Sequence, residues 1–180
     1  MNINTSFSYW VKIAPYSNFK MEKFSRPAFV GKVETPTNLN GLTIGQLIDL
    51  SNVGDGIDGL YRVVEIVLDM KREDIDKARA VDAVRFVGWV VGEVKKINNL
   101  FNKAAIKPTQ QEKKAGLDTL KFGLFGMLDW YALRMGIADH DEVLKTPWLR
   151  IYKCMDMDNK KRAYEIRLQK IQADEIKHQH

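Results

Sequence analysis

The chain has a single cysteine, Cys154, among its 180 residues, and this scarcity excludes an internal disulfide framework. No uninterrupted apolar run comes near the roughly 18 to 20 residues that a membrane span needs. The opening residues, MNINTSFSYWVKI, lack the basic start and apolar core of a secretory signal, so we expect none. The sequence also contains no internal repeat and no low-complexity segment. These absences favour a globular chain without a membrane segment.

The charge of the chain is modest and unevenly placed. A net charge of +5, with 45% apolar and 28% charged residues, is ordinary globular composition. Residues 1–36 carry five basic and two acidic side chains, residues 145–180 carry nine and five, and the centre carries fourteen and sixteen. No Lys/Arg cluster is dense enough to indicate a nucleic-acid footprint. The pattern therefore predicts a solvated surface and no nucleic-acid partner.

The first 36 residues predict an extended or two-stranded β arm. Residues 6–13 show a period-two pattern, with Phe7, Tyr9, Val11 and Ile13 on one face and Trp10 on the other. Residues 28–34, between two prolines, form a second strand candidate. Two strands alone do not make a stable sheet. They either pack on helices or pair with another chain, and both alternatives stay open.

Residues 37–180 predict a helical domain, which makes the fold class mainly α. Thr43 with Gln46 fits a capping box that opens a short helix over residues 44–50, and apolar spacing predicts a second helix over 60–68. We expect one long helix from about residue 74 to residue 104. The segment IKPTQQEKKAG that follows is predicted to be a loop.

The C-terminal third predicts three further helices. The first spans Leu117–Met135, where Gly123 and Gly126 predict the close approach of another helix backbone. Thr146-Pro147-Trp148 has a hydroxyl N-cap followed by proline at the first helical position. A cap at Asp156 or Asp158 then opens a last helix over about 159–176. Its narrow apolar stripe predicts a place on a surface or on a partner.

No catalytic constellation can be assembled from the sequence. Residues 54–59, GDGIDG, match G-x-G-x-x-G, but a capped helix precedes them and two aspartates stand where a pyrophosphate would lie, so we interpret them as a turn. Residues 139–141, DHD, have no second histidine at ligand spacing. Residues 156–159 begin like a calcium loop, but three basic residues follow. We therefore expect no enzyme activity, no cofactor and no metal site.

Two parts of the chain resemble phage tail assembly chaperones. TIGQLIDLSN and YRVVEIVLDM resemble their opening, where a helix of pattern fgq-(F/L)-I-x-L precedes an aspartate-containing turn and an IL-x-x-(L/M) helix. The matching positions are Gly45, Gln46, Leu47, Ile48, Leu50, Ile66, Leu68 and Met70. The later FGLFGMLDWYALRMG and DEVLKTPWLRIYKCMDMDNKKRAYEIRL resemble their C-terminal part, at Asp141–Leu144, Pro147, Trp148 and Tyr164. The resemblance covers about two thirds of the chain. The aromatic N-terminal strands and the long 74–104 helix depart from the pattern.

The resemblance implies a non-enzymatic protein that binds the long helical tape-measure protein, keeps it soluble and recruits tail-tube subunits in the cytoplasm of an infected bacterium. Such binding requires an exposed apolar surface rimmed by charge. Its predicted contact residues are Trp130, Tyr131, Trp148, Tyr152, Tyr164 and Leu168. The tryptophans fit a core position first and a partner groove second. The alternative is a structural virion subunit, a connector or tail-completion protein, whose N-terminal arm contacts its neighbours. A homo-oligomer is compatible with both.

Overall fold

The structure is a computed structural model and describes residues 5–13, 25–104, 108–120 and 122–178. Within these residues lie nine α-helices, a 3-10 turn at Leu117–Thr119 and a hairpin of two short antiparallel strands. The mainly α class with a two-stranded element near the N-terminus is thereby confirmed. In chain order the elements are α1 (Phe7–Ile13), β1 (Phe29–Val30), β2 (Val33–Glu34), α2 (Ile44–Ser51), α3 (Ile57–Leu68), α4 (Arg72–Lys77), α5 (Ala80–Ala104), α6 (Gln110–Lys114), α7 (Gly123–Met135), α8 (His140–Leu144) and α9 (Trp148–His178).

Contacts within the chain group its residues into two compact units, Met1–Ile97 and Asn98–His180. The division falls inside α5, whereas the sequence places a boundary at residue 36. The first unit holds the hairpin, α1 to α4 and most of α5. The second holds the end of α5 and the helices α6 to α9.

Helix α1 replaces the strand that was expected over residues 6–13, so that prediction is wrong. The decisive feature is which aromatic rings are buried: Phe7 and Trp10 are buried, whereas Tyr9 is 60% exposed. Phe7 stacks on Trp10 at 5.7 Å between ring centroids, and it meets Tyr61 of α3 edge-on at 5.0 Å. Residues three apart share one face of a helix but not of a strand. Burial of the two rings therefore outweighs the strand preference of aromatic residues.

The predicted helix over residues 74–104 is two helices, α4 and α5, although neither glycine nor proline stands between them. Ala78 leaves the helical conformation, with ψ at 156°. The N-terminal backbone occupies this break, since the Phe7 N–H donates to the Ala78 carbonyl at 2.9 Å and the Ala80 N–H donates to the Thr5 carbonyl at 2.8 Å. Backbone groups freed by the break are thus satisfied by residues 5–7.

The second predicted strand, at residues 28–34, is a hairpin within itself. Phe29 pairs with Glu34 and Val30 with Val33 in antiparallel register. The buried Thr35 anchors the hairpin's base, because its hydroxyl donates to a backbone carbonyl of the preceding loop and accepts from a guanidinium group. This segment therefore pairs within its own chain.

Capping boxes set the starts of α2 and α6. At α2, the predicted box is confirmed: the Gln46 N–H donates to the Thr43 hydroxyl at 3.1 Å and the Thr43 N–H donates to the Gln46 side chain at 2.9 Å. The second box, of Thr109 and Glu112, opens α6 inside the segment that was predicted to be a loop. The Thr-x-x-Glu spacing is the sequence pattern that predicts this helix.

The glycines at the start of α7 have a different role from the predicted one. The helix begins at Gly123 instead of Leu117, and Gly123 has a φ of +55°, which favours glycine. A Cβ on Gly126 would lie 2.5 Å from the Cβ of Phe122, one turn earlier in the chain. No other described segment comes within 4 Å of either position, so the predicted close approach of another helix backbone is wrong.

Helix α9 is continuous over 31 residues, so the predicted break at Asp156 or Asp158 is wrong. These carboxylates form side-chain ion pairs instead of caps, Asp156 with Lys160 at 2.7 Å and Asp158 with Arg134 at 2.8 Å. The helix begins at Trp148, directly after the proline, where the sequence predicts a start. One long helix therefore links the predicted surface residues to the core of the second unit.

Candidate partner-binding surfaces

The six predicted contact residues lie in three environments. Tyr131 and Trp148 are buried, at 1% and 2% exposure. Trp130 and Tyr152 are half-buried, and Tyr164 and Leu168 are exposed on α9. A partner reaches the last two directly, whereas contact with the first two requires opening of the core.

An aromatic cluster explains the burial of Trp148. Its ring lies 6.1 Å from that of Phe101, at the end of α5, and 6.3 Å from that of Tyr152. Phe101 also meets Tyr152 edge-on, at 5.5 Å. Such aromatic packing contributes to stability beyond the burial of area alone. Trp148 is therefore a core residue, and the sequence did not pair it with Phe101 because the two lie far apart in the chain.

Helix α7 carries exposed apolar side chains next to its buried side. Its inner side buries Leu128, Tyr131 and Ala132. Its outer side presents Phe125 and Leu133 to solvent, at 63% and 77% exposure, and Phe122 just before the helix is equally exposed. A helix whose apolar surface is wider than its buried side is normally covered by a partner. We call Phe122, Phe125 and Leu133 the α7 outer face; sequence reasoning missed all three because it assigned this helix only one apolar side.

A polar pair lies in the middle of the α7 outer face. Asp129, between Phe125 and Leu133 on the same side of the helix, contacts the His140 Nε2 of α8 at 3.3 Å. The Phe125 ring meets the imidazole edge-on at 5.1 Å between centroids. Helix α8 thus packs against one edge of the face, and Phe122 and Phe125 remain largely exposed to solvent.

The C-terminal end of α7 is fastened to α9 by charge. Arg134 donates to both carboxylate oxygens of Asp158, at 2.8 and 3.1 Å, a bidentate arrangement with defined geometry. The same guanidinium group donates to the Cys154 thiol at 3.5 Å. The hydrogen bond from Arg134 lowers the pKa of Asp158 below its ordinary value. This pair joins the C-terminal end of α7 to α9.

The Asp158 pair predicts a pH dependence of stability. Because the folded pKa of Asp158 is lowered, its contribution is fully present above the ordinary aspartate pKa of about 4 and is lost as the pH falls through the lowered value. We expect Asp158→Asn to lower the melting temperature at pH 7 and the difference from wild type to shrink towards pH 3. Thermal denaturation followed by circular dichroism measures this. Asp156→Asn, two positions earlier in α9 and not in contact with Arg134, is the matched control. A difference that stays constant down to pH 3 would contradict the assignment.

The outward side of α9 carries a second apolar strip, which we call the α9 stripe. It consists of Met157, Tyr164, Leu168 and Ile171, all exposed. Their spacings of seven, four and three residues place them on one side of the helix. The opposite side is held to the rest of the unit, where the Asn159 amide donates to the Ala104 carbonyl at 2.9 Å. The stripe therefore faces solvent, on the side of α9 opposite to the one that packs on the rest of the unit.

Residues 54–56 of the GDGIDG segment lie in the turn between α2 and α3, and residues 57–59 begin α3. Gly56 has a φ of +99°, and a Cβ on Gly59 would lie 2.1 Å from the Gly54 carbonyl oxygen, so that only glycine fits there. The adjoining cleft of about 570 Å³ is lined by four carboxylates and two guanidinium groups. One of these, Arg72, is held by Asp58 at 2.6 Å. The interpretation of this segment as a helix-to-helix turn is confirmed for residues 54–56 and wrong for residues 57–59, which are helical. The excess of carboxylates disfavours a phosphate ligand.

The other sequence motifs have structural roles. Asp139 caps α8 by accepting from the Asp141 N–H at 2.9 Å. Residues 156–159, which begin like a calcium loop, lie inside α9. Among the residues that the structure describes, no three His, Cys, Asp or Glu side chains converge on a point where a metal ion would fit. No helix in the described ranges combines the length and apolarity that crossing a membrane demands.

Comparison of the chain with protein-family models, with curated proteins and with solved structures finds no match. The candidate surfaces are therefore assigned from the exposure and packing of their residues alone. They are the α7 outer face and the α9 stripe, both in the second unit.

Proposed function

We propose that this protein is a non-enzymatic assembly chaperone of a phage tail, which binds the tape-measure protein and tail-tube subunits in the cytoplasm of the infected bacterium. The observation that carries the proposal is the α7 outer face. Phe125 and Leu133 on α7, and Phe122 just before it, are large exposed apolar side chains next to the side of the helix that forms a core. Exposed apolar groups at this density mark sites of protein contact. The resemblance of the sequence to tail assembly chaperones supplies the identity of the partner.

The shape of the α7 outer face suits a helical client. Phe125 and Leu133 lie eight positions apart, about 12 Å along the helix, which corresponds to a little over two turns of a partner helix. Clients of this kind bind through one apolar side that lies along a groove or a helix. Asp129 and His140 in the middle of the face supply polar groups that favour one register of the client over others.

The alternative, a structural virion subunit that inserts an N-terminal strand into its neighbour, has less support. Residues 7–13 are helical, and Phe7 is buried against Tyr61. Extraction of this segment for strand addition would expose the two rings and the backbone groups at the α4–α5 break. The hairpin strands, of two residues each, offer a short edge for pairing.

The proposal is tested by finding the partner and by examining finished particles. The protein with an N-terminal tag is expressed together with the late genes of its genome, and the co-purifying proteins are identified by mass spectrometry. Purified particles are analysed in parallel. We expect a long helical protein in the purified complex and none of the tagged chain in the particles.

Two outcomes would contradict the proposal. A fixed number of copies in finished particles would identify the chain as a structural subunit. If no virion protein co-purified, the proposed chaperone function would be contradicted. An untagged culture serves as the control for nonspecific capture, because exposed apolar faces also bind unrelated proteins.

A further inference from the structure

The α9 stripe is a second exposed apolar surface, and its residue spacing and charges indicate what binds to it. We propose that the stripe binds the same stripe of a second copy of this chain, with the two helices antiparallel. The dimer contact is independent of the proposed function, because it involves only copies of this chain. It uses α9 and not α7, so that a homodimer leaves the α7 outer face free.

The spacing of the stripe indicates a helix as its occupant. Met157, Tyr164, Leu168 and Ile171 occupy the positions of a heptad seam, in which apolar residues alternate at intervals of three and four. Lys161 and Glu175 fill the two remaining seam positions between and beyond them. The seam is one side chain wide and its apolar part is about 21 Å long. A stripe of this width fits the side of another helix and is too narrow to seat a broad surface.

The charges along the seam indicate that the bound helix is α9 of a second copy. Lys160 and Lys161 lie at its N-terminal end, whereas Asp174 and Glu175 lie at its C-terminal end. In an antiparallel pair Lys160 of one copy, which also pairs with Asp156 of its own chain, comes beside Asp174 of the other, twice over by symmetry. A parallel pair would instead set Lys161 against Lys161 and Glu175 against Glu175 within the seam, where like charges destabilise. The stripe is therefore self-complementary in one orientation only.

The same orientation matches the apolar residues. With Lys160 opposite Asp174, Tyr164 of each copy lies opposite Leu168 of the other, so that two mixed layers form the centre. Ile171 of each copy lies against the aliphatic stem of Lys161 of the other, whose ammonium group reaches water at the edge. Met157 lies in the same way against the stem of Glu175. Glu165 and Arg167 meet their own counterparts only at the solvated edges, where screening weakens repulsion.

The test is the association state of the full chain, measured by sedimentation equilibrium under reducing conditions at high micromolar concentration. We expect the wild-type protein to dimerise. Leu168→Glu places a charge in both central layers and should raise the dissociation constant by about 100-fold or more. Ile176→Glu is the matched control, since Ile176 is an exposed apolar residue of the same helix that lies off the seam, and it should leave the dimer intact.

Charge reversal tests the orientation. Lys160→Glu with Lys161→Glu should give a monomer, and the further changes Asp174→Lys and Glu175→Lys should restore the dimer. A monomeric wild type would overturn the proposal. A dimer that survives Leu168→Glu but is lost in Leu133→Glu would assign the contact to α7 instead, and a fourfold charge variant that remains monomeric would exclude the antiparallel arrangement.

Discussion

Phe7→Ala should destabilise the protein by about 3–5 kcal/mol, the usual cost of removing a fully buried phenylalanine. Phe7 has no exposed surface, stacks on Trp10 and meets Tyr61 edge-on, so the truncation opens a cavity between α1 and α3. It also weakens the docking of the segment whose backbone satisfies the break between α4 and α5. Urea denaturation followed by tryptophan fluorescence and by circular dichroism measures the loss.

Tyr9→Ala is the matched control for Phe7→Ala. It removes an aromatic ring of similar size from the same helix, but the ring is 60% exposed, and we expect a change within about 0.5 kcal/mol. The pair of variants also distinguishes helix from strand. In a strand, residues 7 and 9 share one face, so equal losses from both variants would contradict the helix. Trp10→Ala should cost as much as Phe7→Ala.

Phe125→Glu together with Leu133→Glu should abolish binding of the helical partner without changing the fold. Both side chains are exposed, so that charge at these positions costs the free protein little. In a complex, each change removes an apolar anchor worth about 1.5–3 kcal/mol and buries a charge. We expect affinity to fall by about 100-fold or more. Co-purification from cells and isothermal calorimetry with the purified partner measure the effect.

Two further variants make that result interpretable. Ile176→Glu changes an exposed apolar residue of α9 and should retain partner binding, which excludes a general effect of added negative charge. Trp148→Ala should lose binding together with helical content, because Trp148 belongs to the aromatic core. If the double variant of α7 bound the partner as wild type does, the α7 outer face would not be the client site.

Local patterns in the sequence predict those parts of the fold that local interactions determine. The capping box of Thr43 and Gln46 marks the start of α2 because its hydrogen bonds join residues three apart. The proline before Trp148 marks the start of α9 for the same reason. The stripe of Tyr164 and Leu168 is predictable from periodicity alone, because residues four apart fall on one side of a helix.

The remaining features depend on contacts between distant residues. The break at Ala78 has no local cause, because it is the backbone of residues 5–7 that stabilises it. The apolar residues of segment 7–13 fit both the period of a strand and that of a helix. Packing of Phe7 on the distant ring of Tyr61 favours the helix. Trp148 was predicted as a partner contact because its packing against Phe101 spans 47 positions in the chain. In the candidate site, Leu133 was missed because periodicity assigns a helix one apolar side.

The most direct test of the central claim is photo-crosslinking from the α7 outer face. A benzophenone amino acid replaces Phe125, and the variant is expressed with the late genes and irradiated in the cell. The same probe at Tyr9, an exposed aromatic residue of the first unit, is the control. We predict a crosslink from position 125, and none from position 9, to a long helical virion protein. Crosslinks from both positions alike, or from neither while the chain is incorporated into particles, would contradict the account.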